Sequence, residues 1–530
     1  MGRHASSNAD RTVFVRSARK QLVPFAEIDV IYLGIDCGTQ GTKAVLFEPD
    51  SGRIIGRGNA PHAIISDASG RREQKTEWWI EALKTAVHAA LRESGRAPAD
   101  VAAIAVSGQQ HGLIMIDGRG SVLRDVKLWN DTETAPENEM LIAELGGPDR
   151  VWDLISTTLP VGYTASKVRW VMKHEPEIYA KMGYVLLPHD YLNYWLTGEI
   201  VMEAGEASGT GFFDVASRAW SRKMVEAIDP SGILARALPP IVSPREPIGT
   251  VRKAVAEEFG LSPHTLVACG SGDNVMGAVG TASVSPGRVT MGLGTSGVIN
   301  LHSNILPRDA DRSIQVFCAV EEGWLPTTCT MNATSSTSLL QSLFEIKIEQ
   351  VEALIAEGVP GAEGIRIFPY FNGERMPPLP HARAVINGLS FDNFTRANLM
   401  RAMVESVAFS LKWGFEKISG RLGQSAQFRL TGGGANSAAW RQILADVFDT
   451  EVVRVKWDEG GAFGAALLAL AVDQRHQGIS TSLRAVCDHY VDLDFAKSAQ
   501  PRPAVSSIYR ELYEEFCEML RVEFFSDEQC

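Results

Sequence analysis

The sequence predicts an α/β protein made of two related units, and three observations predict it. Short apolar runs of strand length alternate with amphipathic helical runs and polar turns, with no low-complexity linker between them. A strand–turn–strand pattern occurs twice, around Gly38-Thr39-Gln40-Gly41 and Gly294-Thr295-Ser296-Gly297, at an offset of 256 residues. A strand–Gly loop–helix pattern also occurs twice, around Gly270-Ser271-Gly272-Asp273-Asn274 and Gly432-Gly433-Gly434-Ala435-Asn436, at an offset of 162. In a chain with 48 glycines any one such loop is unremarkable. Four of them, each after an apolar strand, point to two copies of one unit facing each other.

The elements follow in order. Arg3, Arg11, Arg16, Arg19 and Lys20 lie among Ser and Asn, and Asp10, Glu27 and Asp29 interrupt any presequence pattern. Residues 1–30 therefore read as a disordered extension. Ile31–Asp36 is a strand, Lys43–Phe47 its return, and Pro49–Gly52 the next turn. Glu77–Arg92 has helical spacing, and Val101–Val106 is a buried strand running into Ser107–Gly112. A boundary falls at Ser285-Pro286-Gly287, giving units 31–282 and 283–500 and a helical tail, 501–530.

The net charge of −12 argues against a nucleic-acid backbone or an anionic membrane as partner. No apolar stretch is long enough to span a bilayer. Seven dispersed cysteines without a CxxC pair argue against a disulfide framework or a zinc cluster, and a reducing cytoplasm is the expected setting.

Gly-Thr-x-Gly turns offer closely spaced N–H groups and hydroxyls to phosphate, and no GxxxxGK[ST] is present. Asp36 ends a buried strand, where a hydrated Mg²⁺ near phosphates would satisfy its charge; the alternative is a cap on its own turn. Lys43 is a phosphate contact or an exposed strand lysine. Asp273 is a helix N-cap or a carboxylate aimed at substrate. The aligned loop has Ala435 in its place, which favours the second reading and assigns Gly432–Ser437 to nucleotide. Gln110, His111, Trp129, Asn130 and Asp131 suit a polyol, with His111 also readable as a core histidine. His189 and Asp190 carry the same ambiguity.

Together, Leu33–Thr39, Ser107–Gly112, Trp129-Asn130-Asp131, Gly272-Asp273-Asn274, Leu293–Gly297 and Gly432–Ala435 resemble the FGGY carbohydrate kinases, as do Leu187–Glu199, Ser208–Trp220 and Ala384–Glu405. The resemblance runs from about Ile31 to Leu470. It implies two ribonuclease-H-like domains of the actin and sugar-kinase type, each with a mixed sheet flanked by helices, around a central cleft. Sugar would bind the first and ATP the second. It implies ATP-dependent phosphorylation of a ketopentose, D-xylulose first, with Asp273 as general base and Asp36 near Mg²⁺. An aspartate of ordinary pKa is ionised at neutral pH, so Asp273 needs no upward tuning for that task. Gln110, His111, Asp273 and Asn274 match sugar positions. Gly38, Thr39, Lys43, Gly294, Thr295, Ser296, Gly433, Gly434, Asn436 and Ser437 are the nucleotide candidates. A homodimer is what the resemblance suggests. Gln110 replaces a common Met, in a form that some relatives share, and Glu133 replaces a common Arg, which leaves the ketose open. Ribulose, gluconate, pentitol and glycerol are the alternative acceptors, since they differ by one hydroxyl or by chain length. An actin-like nucleotide switch is the rival from another class.

Overall fold

The computed structural model describes residues 30–307, 311–419, 427–457 and 459–525. The expected extension lies outside them except for Val30. The apolar run Ile31–Cys37 forms β1, buried throughout save a partly exposed Asp36. Tight turns lead it antiparallel into β2 (Gly41–Glu48) and β3 (Arg53–Pro61). Helix α1 (Thr76–Ser94) buries Trp79, Leu83, Ala86, Val87 and Ala90 against this meander and stops at left-handed Gly95. The chain then returns as β4 (Val101–Gly108), parallel to β1. Strands β5 (Pro247–Thr250) and β6 (Leu266–Ala268) complete the order β5-β6-β4-β1-β2-β3. Helix α2 (Asp273–Gly280) leaves the sheet just after β6.

The second sheet repeats the scheme. Its strands are β7 (Arg288–Leu293), β8 (Gly297–Leu301), β9 (Gln315–Cys318) and β10 (Trp324–Thr330), then β11 (Gln427–Thr431), β12 (Val452–Val455) and β13 (Leu493–Ala499). The order is β9-β10-β8-β7-β11-β12-β13, with β7, β11 and β12 parallel. Helices α3 (Arg396–Ser419) and α4 (Ala438–Phe448) cover it. An antiparallel meander continued by parallel strands is the ribonuclease-H-like arrangement in both units.

The two Gly-Thr hairpins are equivalent, since each joins the first strand of a meander to the second. The other sequence pairing fails. Strand β11, before Gly432, lies beside β7, so its counterpart is β4; strand β6, before Gly270, is an outer strand and matches β12. Asp273 thus corresponds to the turn at Glu459-Gly460, and Ala435 says nothing about its role. Loops that end parallel strands are glycine-rich at inner and outer positions alike, so local sequence did not separate them.

Helix α5 (Gly460–His476) also departs from expectation. It packs on β1, β4 and α2 rather than on the second sheet. The contact is backbone to backbone: a Cβ on Gly34 would lie 1.9 Å from Ala462 O, one on Gly464 2.0 Å from Met276 O, and one on Gly280 2.3 Å from Gly460 O. A contiguous unit 283–500 therefore does not describe this helix. The expected tail is helix α6 (Pro503–Phe524), which is docked rather than free. It buries Tyr509, Tyr513, Phe516 and Leu520 in the second core, Phe516 and Leu520 each contributing about 1.5–3 kcal/mol.

Candidate active site

The turns after β1, β4 and β6 meet at one edge of the first sheet, because all three strands are parallel. Asp36 accepts a hydrogen bond at Oδ1 from Ser107 Oγ at 2.7 Å. It does not cap its own turn, which closes through Gly38 N–H to Gly41 O at 3.0 Å. Burial pushes its carboxyl up, while Ser107 and then Lys43, its cross-strand partner, pull it down. Lys43 is exposed. No protein donor among the described residues reaches Asp36 Oδ2, which leaves a free hard oxygen suited to Mg²⁺.

Asp273 is the first residue of α2, and Gly272 holds the cap position. Its Oδ1 accepts the Asn274 N–H at 2.8 Å. Burial, and then the neighbouring Asp36 charge, push it up to about 7. The expectation of ordinary acidity does not hold. Asn274 Nδ2 donates to Gln110 Oε1 at 2.8 Å, joining the β4 and β6 turns. A Cβ on Gly272 would lie 2.4 Å from both Gln110 Cγ and Glu206 Oε2, so only glycine fits there.

His111 has φ +67°, a strained value for a non-glycine residue. Its Nδ1 lies 2.8 Å from Gly209 O, which must accept, so Nε2 is the free acceptor. Burial, then Lys167 and Arg375, hold the ring neutral, with a pKa lowered to about 3. Its ring stacks on Tyr163 at 4.4 Å. Trp129 Nε1 donates to Thr39 Oγ1 at 2.8 Å, and Thr39 Oγ1 donates to Gln109 at 3.0 Å, tying the aromatic to the first hairpin. Gln110 Nε2, Asn130 Oδ1 and Asp131 Oδ1 are buried without a partner among the described residues. Three such atoms in one predicted cluster are what a ligand site leaves open.

Asp131 is otherwise held in an ion network. Its Oδ2 accepts from Arg72 N–H at 2.8 Å and lies 3.3 Å from Lys127, which also meets Glu133 at 2.5 Å and Glu73 at 3.2 Å. The Lys127 ammonium already sits among these three carboxylates, so they are no metal site. Glu133, one of the two departures from the family pattern, is the counter-charge to this buried lysine.

His189 and Asp190 lie deeper, under Gly108, whose Cβ would meet His189 Cβ at 2.8 Å. His189 Nδ1 is 3.4 Å from Asp190 and 3.9 Å from Glu206. Burial pushes Asp190 and Glu206 well above the usual carboxylate range, with Glu203 adding to the first and Asp190 and then Glu203 to the second. Sequence reasoning missed Glu206; the signal was a carboxylate pair, Glu203 and Glu206, set among small residues.

In the second unit, Gly294 and Thr295 are exposed at the hairpin, braced from behind by Thr334 Oγ1 to Gly294 O at 2.7 Å and Ser335 Oγ to Thr295 O at 2.9 Å. Ser296 N is followed by β8 and its carbonyl accepts Gly294 N–H at 3.1 Å. Gly432, at φ +86°, brings the next loop against the hairpin base, where a Cβ would meet Leu293 O at 2.6 Å. Gly433 and Asn436 face solvent and Gly434 packs on Leu293. The Ser437 hydroxyl is already engaged, donating to Glu352 at 2.6 Å and capping α4 through Trp440 N–H at 3.0 Å.

A second residue that sequence reasoning missed is Arg375. It comes from the second unit, yet its guanidinium lies 5.2 Å from the Trp129 ring centroid in the first. The signal was a charged Glu374-Arg375 pair inside the apolar stretch Tyr370–Pro378.

No helix among the described residues is long and apolar enough to cross a membrane. The N-terminal domain of the FGGY carbohydrate kinases matches residues 31–280, and the C-terminal domain of that family matches residues 291–472. The chain is 42% identical over 490 residues to a xylulose kinase of Haemophilus influenzae, covering 92% of this chain and 98% of that one. It superposes on a xylulose kinase from Rhodospirillum rubrum with a TM-score of 0.84 at 26% identity, covering 93% and 98% of the two chains. A gluconate kinase from Lactobacillus acidophilus shares the fold, with a TM-score of 0.84, 21% identity, and coverage of 93% and 98%. The paired sheets, the two hairpins and the family matches over both units agree: the chain belongs to the FGGY family of carbohydrate kinases.

Proposed function

We propose that this kinase transfers the γ-phosphoryl group of ATP to D-xylulose, forming D-xylulose 5-phosphate, with Asp273 as the base. The observation that carries the reading is the Asp273 carboxylate beside the linked pair Gln110–Asn274 and within electrostatic reach of Asp36. The xylulose kinase relatives supply the choice of ketose.

In this reading Gln110, His111, Trp129, Asn130 and Asn274 surround the sugar, and the unpaired Gln110 Nε2 and Asn130 Oδ1 take its hydroxyls. A site with such committed polar atoms rejects analogues that lack the matching hydroxyl. Asp131 bounds this pocket from its ion network. The hairpin amides at Gly38-Thr39 and Gly294-Thr295-Ser296, with Lys43, Gly433, Gly434 and Asn436, hold the phosphates, the second unit carrying most of the nucleotide. Ser437 supports that loop as a cap.

Asp36 Oδ2 would hold Mg²⁺, which supplies charge neutralisation to the phosphates. Asp273 orients the terminal hydroxyl and takes its proton as the oxygen–phosphorus bond forms. The bond from γ-phosphorus to the bridging oxygen breaks, and ADP carries that electron pair away.

An ADP-release assay over D-xylulose, ribulose, gluconate, pentitols and glycerol tests the proposal. D-Xylulose is expected to give the highest kcat/KM. A higher value for any other acceptor overturns the choice of sugar.

A further inference from the structure

Arg375 sits where the two units face each other and the proposed chemistry has given it no task. Its guanidinium lies over Trp129, whose Nε1 is bound to Thr39 in the first phosphate hairpin. Its charge is felt at His111 on one side. On the other it is felt at Cys329, which also neighbours Ser296 in the second hairpin. Arg375 is thus bracketed by the aromatic wall of the sugar pocket and by both Gly-Thr turns.

The loop is built to hold it there. Glu374 is buried, and its Oε1 accepts the Arg375 N–H at 2.7 Å and the Met331 N–H, while Oε2 accepts Asn332 Nδ2 at 2.9 Å. Gly373, at φ +79°, passes so close to Pro380 O that a Cβ would lie 2.3 Å from it. Burying a carboxylate to fix a turn is costly unless every lone pair is used, and here the backbone of Arg375 is one of the partners. The Arg375 side chain itself is exposed and neighbours the Cys329 thiol, and no carboxylate forms an ion pair with it among the described residues. A rigidly mounted arginine without a protein anion suits an anionic ligand that arrives and leaves.

We propose that Arg375 is a catalytic residue that binds the phosphoryl group in transit, reaching across from the second unit to the oxygens that pass from ADP to the sugar. This rests on the site reading above, in which the sugar lies against Trp129 and the phosphates between the hairpins. Arg375 would bind phosphate oxygens and leave the unphosphorylated sugar to first-unit residues. Its pull is greatest when the phosphoryl group is detached from both oxygens and its charge is spread over the equatorial ones.

The test compares the full-length protein with Arg375→Ala and Arg375→Lys. The probes are the acceptor that wins the ADP-release panel and its phosphorylated form, each bound by calorimetry. Arg375→Ala is expected to lower kcat by about 10²–10³-fold, the usual effect of losing one donor to transition-state charge. Affinity for the sugar phosphate should fall about tenfold, with affinity for the free sugar unchanged within threefold. Arg375→Lys should recover part of the phosphate affinity, as a point charge without the planar fork. Equal losses for sugar and sugar phosphate would make Arg375 a wall over Trp129 and overturn the proposal, as would unchanged kcat and product affinity. The site reading fails separately, if Asn274→Ala leaves sugar affinity unaltered.

Discussion

Burial and the Asp36 carboxylate together hold Asp273 near neutrality, close to where a general base balances ionisation against proton affinity. Asp273→Asn is expected to lower kcat by at least about 10²-fold with ATP affinity retained, measured by steady-state kinetics and nucleotide titration. The same substitution should stabilise the protein. The folded-state pKa of Asp273, about 7, is raised above the 3.8 of the free group. Folding is therefore favoured by protonation below about 4, and that advantage is lost as pH rises through 7. In the protein free of metal and nucleotide, Asp273→Asn should raise Tm at pH 8 and change it little near pH 4. A Tm gain of equal size at both pH values would show that the charge is not what costs stability. Asp36, Asp273, Gln110, His111 and Trp129 could be named as candidates from sequence because small neighbours, strand ends and residue type mark them. Glu206 and Arg375 were not, since a buried acid under a glycine and an arginine facing another unit depend on contacts far along the chain.

Among the elements, α2 and α5 cross closely, and glycines let the two helix backbones touch. Gly464→Ala puts a Cβ 2.0 Å from the Met276 carbonyl, and overpacking of this kind costs about 1–3 kcal/mol or more. Gly277→Ala on α2 is the control, since its Cβ would meet nothing within 4 Å; the helix should gain roughly 0.5–1 kcal/mol. Denaturant titration of both variants checks the difference, and equal stabilities would remove the close crossing as an explanation for these glycines. The hairpins were readable in sequence because a Gly-Thr turn between apolar runs has few other solutions. The equivalence of the Gly270 and Gly432 loops was misread because strand order within a sheet is set by packing, which a local alignment does not see.

At the scale of the molecule, two sheets share one design, and the chain passes between them more than once. It leaves the first at Thr281–Gly287, returns to it as α5, and goes back as β13. The second unit then closes over α6, whose apolar face completes its core. The two-unit plan followed from repetition in the sequence; the exchange of α5 did not, because that helix is buried almost all round and carries no periodic stripe to name its partner sheet. A fragment ending at Gly287 lacks the helix that covers β1 and β4. It is expected to bind a hydrophobic dye and to show no cooperative melting transition, whereas adding residues 460–476 as a separate peptide should suppress the dye signal. A cooperative transition from the fragment alone would mean that the first unit does not need α5.

That crossing also sets an order of events at the ribosome. When Gly287 has been made, about 190 residues remain before His476, and at 5–20 residues per second this takes roughly 10–40 s. For that interval the face of β1 and β4 that α5 will cover has no partner from its own chain. Nascent first units on neighbouring ribosomes can meet through that face, so yield in cells should depend on chaperone supply and on the speed of translation, even with the finished protein's stability unchanged.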